Sequence, residues 1–342
     1  MSRGDAPPAA TIDAMKALVA ALLLGMTIAS QGCTDPNHVA REAHLVMGTT
    51  AKVEVQGVSE PGPALAAAFA AIDRVDDAMS LWKPSELQRL NDEGEGAPSP
   101  DLRAVLDKAL EIAAASGGSF DPTVEPLVRA MGGFGTPSLS LSAPERTALL
   151  ARIGYRRVHV DPASGNVRLE PGTRLDFGGV AKGYAVDEAL AALRSAGAKA
   201  GVVSLGESSV GLFGTSLDLE MRDPEPVPGE PGKPWAVFRV QSGGVSTSGS
   251  DQRGLHILDP RSGEYAGGVL SVTVLAATGV EADALSTAAF VLGAGPGLRL
   301  IEQRGAAGFV LLRESGASVL RATRGFADEH AMKLAKGVSL RD

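Results

Sequence analysis

Asp283 and Thr287 stand four residues apart in the run Glu281-Ala-Asp-Ala-Leu-Ser-Thr287. On a helix they share one face. A carboxylate and a hydroxyl placed this way suit a hard cation such as Mg²⁺, but two oxygens are too few to hold it alone. The same spacing also describes a capping aspartate followed by an inward threonine. A second candidate is the run from Leu175 to Asp187, which joins the carboxylate of Asp176 to Gly178-Gly179 and then to Lys182. A strand, a glycine turn and a helix start leave backbone N–H groups converging on one spot, and such a spot suits an anion. Lys182 falls in the helix's first turn, where the macrodipole disfavours a cation. A bound anion removes that conflict, and a merely solvated lysine is the plain alternative. The spacing matches neither a Walker A loop nor a dinucleotide glycine fingerprint. His256 lies three residues before Asp259. It reads either as a satisfied core histidine or as an imidazole tuned by that carboxylate.

The elements that must carry these residues follow from periodicity. Tyr184, Val186, Ala189, Leu190 and Leu193 give an inward face to a helix that Gly197 stops. Leu45, Met47, Thr49, Ala51, Val53 and Val55 alternate as one strand. Pro63 opens a helix through Leu65, Phe69, Ile72, Val75 and Met79, and Ser85 caps a short turn after it. A further helix runs from Leu102 to Ala113 and stops at Gly117-Gly118, and Pro126 opens another. A short helix runs from Pro144 to Ile153, and a hairpin is expected at Val158–Val160 and Val167–Leu169 around Asp161-Pro-Ala-Ser-Gly165. Strands follow at Ala200–Leu205, Val210–Phe213, Leu217–Met221, Trp235–Val240 and Ser271–Ala276. Between them, Asp223–Pro234 reads as an insert rich in Pro, Gly and Glu. Gly305–Leu312 and Val319–Leu320 supply closing strands, and Phe326–Lys336 a terminal helix. Hairpins dominate from Val158 onward. The expected fold is therefore α+β, with mostly antiparallel sheets flanked by helices in two closely packed subdomains.

With 342 residues, 44% hydrophobic and 21% charged, the chain is globular rather than disordered. The net charge is 32 − 40 = −8 with no basic run, which argues against a nucleic-acid partner. Cys33 is the single cysteine, so an intramolecular disulfide and a cysteine-based zinc site are excluded. Its position matters more. Lys16 precedes an apolar run, Ala17–Ala29, of signal-peptide length, and Ser30-Gln31-Gly32 leads into Cys33. This resembles a bacterial lipobox, with Ser30 for the usual leucine and Gln31 for a small residue. An ordinary secretory signal with an incidental cysteine is the alternative. Residues 1–32 are read as the signal, with Met15 as an alternative start, followed by a tether over 33–44 and a domain over 45–338. The expectation is an exported lipoprotein, anchored through Cys33 to a membrane and facing the periplasm.

The stretch at 175–187 resembles a signature of the ApbE family, the FAD:protein FMN transferases. Four other stretches support the resemblance, which covers nearly all of the chain beyond the signal. They are Met47-Gly48-Thr49; Met79-Ser-Leu-Trp82-Lys-Pro-Ser-Glu-Leu-Gln-Arg-Leu-Asn91; Gly118-Ser-Phe120-Asp121-Pro-Thr-Val-Glu-Pro-Leu-Val128; and Gly244-Val-Ser-Thr-Ser-Gly249, continued by His256-Ile257-Leu-Asp-Pro260. The run 281–293 then completes the match. The resemblance implies cleavage of the FAD pyrophosphate, attachment of FMN to a threonine of a partner protein and release of AMP. It implies Mg²⁺ on Asp283, Thr287 and the Gly179 carbonyl. It implies FAD contacts by Met47, Trp82 (where the family usually has tyrosine), Phe120, Asp121, Asp176, Lys182 and Ile257. Glu207 stands where the family has Asn or Asp after two glycines, and it is a weaker candidate for that contact. The usual aromatic after Ser248-Gly249 is replaced by Ser250-Asp251. His256 becomes the candidate base for the acceptor hydroxyl. The chain has no Ser-Gly-Ala-Thr acceptor motif of its own, so the acceptor belongs to another protein. Two other readings stay open: an Mg²⁺-dependent FAD hydrolase, and an FAD-binding lipoprotein without chemistry.

Overall fold

The computed structural model describes residues 38–133, 141–222, 234–249 and 257–341. They fall within one unit of mutual contact, Pro36–Asp342. The first half runs β1 (Val39–Val46), β2 (Thr49–Gln56), α1 (Pro61–Met79), α2 (Glu86–Glu93), β3 (Glu95–Gly96), α3 (Pro100–Ala115), α4 (Glu125–Ala130) and α5 (Ala143–Leu150). Next come β4 (Val158–Val160), β5 (Val167–Leu169), α6 (Ala181–Ser195), β6 (Ala200–Leu205), β7 (Ser209–Phe213), β8 (Leu217–Arg222), β9 (Pro234–Val240) and β10 (Gly243–Gly249). The chain continues through β11 (Leu258–Asp259), β12 (Glu264–Tyr265), β13 (Ser271–Ala276), α7 (Gly279–Leu292), α8 (Ala294–Gln303) and β14 (Ala307–Glu314). It closes with β15 (Ala317–Ala322), α9 (Phe326–Glu329), β16 (Lys333–Leu334) and β17 (Val338–Arg341).

Nine strands form the main sheet in the order β1-β2-β6-β7-β10-β13-β14-β15-β17. Every pairing in it is antiparallel except β15 with β17. This is the mostly antiparallel α+β fold expected. Side chains alternate across the sheet, and both of its faces are buried. In β14, Val310 and Leu312 join one core with α1, α6 and α7. Phe309 and Leu311 join a second core with Trp235, Phe238 and Phe326. The three-stranded sheet β16-β9-β8 covers that second face. No helix among the described residues is long and apolar enough to cross a membrane.

Four local expectations change. The strand expected over residues 45–55 is a hairpin: Val39–Val46 pairs with Thr49–Gln56 around Met47-Gly48. Both turn residues have positive φ (53° and 69°). Gly48 adopts this without strain, so the run of alternation breaks there. Residues 39–44 accordingly belong to the sheet's edge strand rather than to a tether, and His44 stacks on Phe69. Arg41 and Glu42 are exposed on that edge, which hid the strand from a reading based on apolar alternation. The terminal helix stops after Phe326–Glu329, since Ala331 has φ 47° and the chain then turns into β16. Gly243–Gly249, read only as a motif, is the central strand β10. Its Gly244 has no room for a side chain: a Cβ there would sit 2.4 Å from the Gly279 backbone.

Candidate functional site

α6 and α7 lie side by side, with α7 packed on β10 and β13. Two glycines bring the helices together: a Cβ on Gly183 would sit 2.1 Å from the Gly279 carbonyl oxygen. At this crossing each helix caps the other. From α7, Asp283 Oδ2 accepts the Gly183 N–H at 3.0 Å. From α6, Asp187 accepts the Gly279 and Val280 N–H groups at 2.7 and 2.9 Å. Carboxylates at helix N-termini satisfy orphan donors and meet the positive end of the dipole. Burial nevertheless pushes the Asp187 carboxyl up to about 6, with the two N–H groups pulling the other way. Sequence reasoning missed Asp187 as a cap because its partners lie 92 and 93 residues away.

This arrangement revises the expected anion site. The Gly183 N–H is not free for a ligand, because the protein's own Asp283 takes it. Ala181 and Tyr184 donate to Phe177 and Val180 carbonyls. The cation of Lys182 remains, with its Nζ donating to the Gly178 carbonyl at 3.3 Å. It forms no salt bridge among the described residues.

A cleft opens beside the crossing. It is walled by the 119–121 turn, the glycine turn at 178–179, Lys182, the Leu205–Ser208 loop, β10, Ile257 and the Asp283–Thr287 face. Phe120, Asp121, Asp176, Gly179, Lys182, Glu207, Ile257, Asp283 and Thr287 all line it. The structure thus brings together nine residues that the sequence places up to 167 positions apart (287 − 120).

The walls are held from behind. Asn91, buried at the end of α2, clamps Leu175: its Oδ1 accepts the Leu175 N–H at 2.6 Å, and its Nδ2 donates to the Leu175 carbonyl at 2.8 Å. The Asp176 N–H donates to the Pro122 carbonyl at 2.7 Å, tying the glycine turn to the 119–121 turn. Asp176 Oδ1 accepts the Gly178 N–H at 2.6 Å. Burial raises the Asp176 carboxyl above its usual range and the Glu125 carboxylate adds to this, while the Gly178 N–H and Lys182 oppose it. Ser119 donates to the Ala288 carbonyl at 3.2 Å, which fixes Phe120 against α7. A Cβ on Gly179 would meet the Phe120 ring and Thr287 Oγ1, each at 3.2 Å. Glycine is what lets this turn approach both.

The Asp283–Thr287 face offers only hard oxygen donors. Asp283 is buried, and its Oδ1 accepts the Ser246 hydroxyl at 2.8 Å. Each carboxylate oxygen retains a lone pair. The Gly179 carbonyl accepts no backbone hydrogen bond among the described residues. One carboxylate, one hydroxyl and one unpaired carbonyl fit a hard divalent cation whose remaining ligands come from the substrate. No cluster of three or more His, Cys, Asp or Glu side chains occurs among the described residues. Such a cation would therefore not be caged by protein side chains alone.

Other expected residues sit differently. Asp121 spends its carboxylate on the chain: Oδ1 accepts the Thr123 N–H (2.9 Å) and hydroxyl (2.6 Å), and Oδ2 accepts the Tyr155 N–H (2.7 Å). Burial raises its carboxyl against those donors. It shapes the cleft wall by the capping role that its sequence position allowed. Trp82 is 75% exposed and does not line the cleft. Met47 sits in the β1–β2 turn, half-buried against the large core, while Thr49 of that hairpin lines the cleft instead. Asp259 pairs with Arg261 at 2.8 and 2.9 Å, so its carboxylate is already taken. Burial raises the Asp259 carboxyl, but the Arg261 bonds outweigh it and the net shift is downward. His256 and Cys33 lie outside the described residues, as do 223–233 of the expected insert.

The ApbE family model matches residues 47–310. An FAD:protein FMN transferase of Klebsiella pneumoniae (strain 342) is 31% identical over 324 residues, covering 86% of this chain and 92% of that protein. One from Escherichia coli (strain K12) is 30% identical over 264 residues, covering 71% and 75%. The apo structure of Pseudomonas stutzeri flavinyl transferase ApbE superposes with a TM-score of 0.75 at 26% identity, covering 85% of this chain and 96% of that one. The flavin transferase ApbE from Vibrio cholerae shares the fold, with a TM-score of 0.76 at 24% identity.

Proposed function

From the chain's place in the ApbE family, to which it belongs, we propose that it is an FAD:protein FMN transferase. A threonine hydroxyl of a partner protein attacks the FMN phosphorus of FAD. A new P–O bond forms, the pyrophosphate P–O bond breaks, AMP leaves with the bridging oxygen, and the hydroxyl proton passes to a base. The observation that carries this reading is that the Asp176–Lys182 turn and the Asp283–Thr287 face line one cleft. The Asp283–Gly183 hydrogen bond joins them one residue beyond Lys182.

Lys182 binds the diphosphate and offsets its charge. Phe120 presents a ring edge at the glycine turn, and Asp176, whose carboxyl burial raises above its usual range, lines the cleft where it can meet a polar edge of FAD. Ile257 supplies apolar wall, and its chain neighbour His256 is the base for the acceptor hydroxyl. Asp283, Thr287 and the Gly179 carbonyl would hold Mg²⁺, which when bound would neutralise charge on the phosphate oxygens. The acceptor carries a Ser-Gly-Ala-Thr-like sequence. The Lys16–Cys33 pattern supports export, with lipid attached to Cys33 and the cleft facing the periplasm.

The test is incubation of the chain from Cys33 onward with FAD, Mg²⁺ and a Ser-Gly-Ala-Thr peptide, followed by mass analysis. The proposal expects an FMN adduct on the peptide and one AMP for each adduct. FMN and AMP without adduct would make the protein a hydrolase, and unchanged FAD would make it a binder.

A further inference from the structure

β10 backs the Asp283–Thr287 face and carries a hydroxyl that the reading above leaves unused. Ser246 and Ser248 are two residues apart on this strand and so point to the same side. Ser246 donates to Asp283 Oδ1 at 2.8 Å. Ser248 lines the cleft, with its Oγ 2.9 Å from Ser286 Oγ and 3.3 Å from Thr287 Oγ1.

Each hydroxyl has one proton and two lone pairs. The Ser286 proton goes to the Asp283 carbonyl at 2.9 Å, a shorter bond than the alternative to Ser246 Oγ at 3.4 Å. Ser248 therefore donates to Ser286, and at least one of its own two lone pairs stays free. The Thr287 hydroxyl lies 3.3 Å from both the Asp283 carbonyl and Ser248 Oγ, and a helical threonine can bond back to the carbonyl four residues earlier. Ser248 and Thr287 then both turn lone pairs toward the cleft, 3.3 Å apart. A phosphate oxygen placed there would meet only acceptors. Adjacent oxygens on an octahedral Mg²⁺ at about 2.1 Å stand about 3.0 Å apart, close to this spacing. We propose that Ser248 supplies a further oxygen donor to the divalent cation, beside Thr287. This rests on the reading that the Asp283–Thr287 face binds that cation.

The experiment measures Mn²⁺ binding to the FAD complex by electron paramagnetic resonance. It compares wild type, Ser248→Ala, Ser248→Cys and Asp283→Ala. Ser248→Ala should weaken Mn²⁺ binding by about tenfold, within the range over which metal-site contacts act. FAD affinity in EDTA should not change, and the apo melting temperature should fall by no more than the loss of the one hydrogen bond to Ser286 explains. Ser248→Cys exchanges a hard donor for a soft one. It should raise the Cd²⁺-over-Mg²⁺ preference by about tenfold, which a hydroxyl that only braces Thr287 would not do. Wild-type Mn²⁺ affinity in Ser248→Ala, or an unchanged metal preference in Ser248→Cys, overturns the proposal. If Asp283→Ala loses Mn²⁺ binding in that same experiment, the cation reading survives while the Ser248 role falls. If Asp283→Ala also binds like wild type, both fall.

Discussion

Asp283→Ala removes the acceptor of two hydrogen bonds, from the Gly183 N–H at 3.0 Å and the Ser246 hydroxyl at 2.8 Å. Ser246 can rotate its hydroxyl toward another oxygen, but the Gly183 N–H is fixed and buried. A buried donor left unpaired costs about 1–3 kcal/mol. Losing a capping side chain at a helix start costs about 0.5–2 kcal/mol, and the two figures overlap because they count the same bond. The expected loss is therefore about 1–3 kcal/mol of folding stability, against a total of about 5–15 kcal/mol for a typical domain. Asp283→Asn keeps one acceptor oxygen and gives up mainly the charge at the dipole, about 0.3–1 kcal/mol. Neither variant retains a carboxylate for the cation. Urea unfolding of the apo forms in EDTA separates the two jobs. The Ala variant should be clearly destabilised and the Asn variant only slightly, while both lose divalent-cation binding in the presence of FAD. An Ala variant as stable as wild type would refute the clamp between the helices. Wild-type cation affinity in the Asn variant would refute the ligand role.

Three further outcomes are expected. Lys182→Met should leave the apo protein unchanged or stabilise it by about 0.3–1 kcal/mol, since a cation leaves the α6 start. With saturating FAD it should gain less stability than wild type, because linked stability follows RT ln(1 + [L]/Kd); equal FAD-induced melting shifts would remove Lys182 from the phosphate site. The Asp187 carboxyl sits at about 6, above its ordinary 3.8. A raised folded-state value means its contribution is fully present below the unfolded value and is lost as pH climbs through about 6. Asp187→Asn should therefore gain stability relative to wild type between pH 4 and about 6 in urea titrations, and a difference that does not vary with pH would contradict this. Fatty-acid labelling in cells should mark the wild type and not Cys33→Ser, and equal labelling would remove the lipid anchor.

What the sequence made legible was local. The inward face of α6 at Val186, Ala189, Leu190 and Leu193 was readable because helical periodicity and the Gly197 stop agree. The Asp283–Thr287 pair was readable because four-residue spacing needs no tertiary knowledge. What stayed hidden depends on distant partners. β10 has glycines and serines where a strand pattern wants β-branched side chains, because Gly244 must admit the Gly279 backbone and Ser246 must reach Asp283. Asn91 reads as a helix-end asparagine until its clamp on Leu175, 84 residues away, is seen. Asp121 had a cap and a ligand contact as rival roles, and its bond to the Tyr155 N–H, 34 residues away, could not be read from either. Trp82 was placed by motif position alone, which carries no information about which way the segment after α1 faces.

The most direct test of the central claim is an anomalous difference map from crystals of this protein soaked with FAD and Mn²⁺. The claim is that the glycine turn, Lys182 and the Asp283–Thr287 face form one diphosphate and cation site. It predicts a metal peak within about 2.5 Å of Asp283, Thr287 Oγ1 and the Gly179 carbonyl, with the FAD diphosphate between that peak and Lys182 Nζ. An ordered FAD whose diphosphate lies away from Lys182, or a metal peak away from the Asp283–Thr287 face, would contradict it.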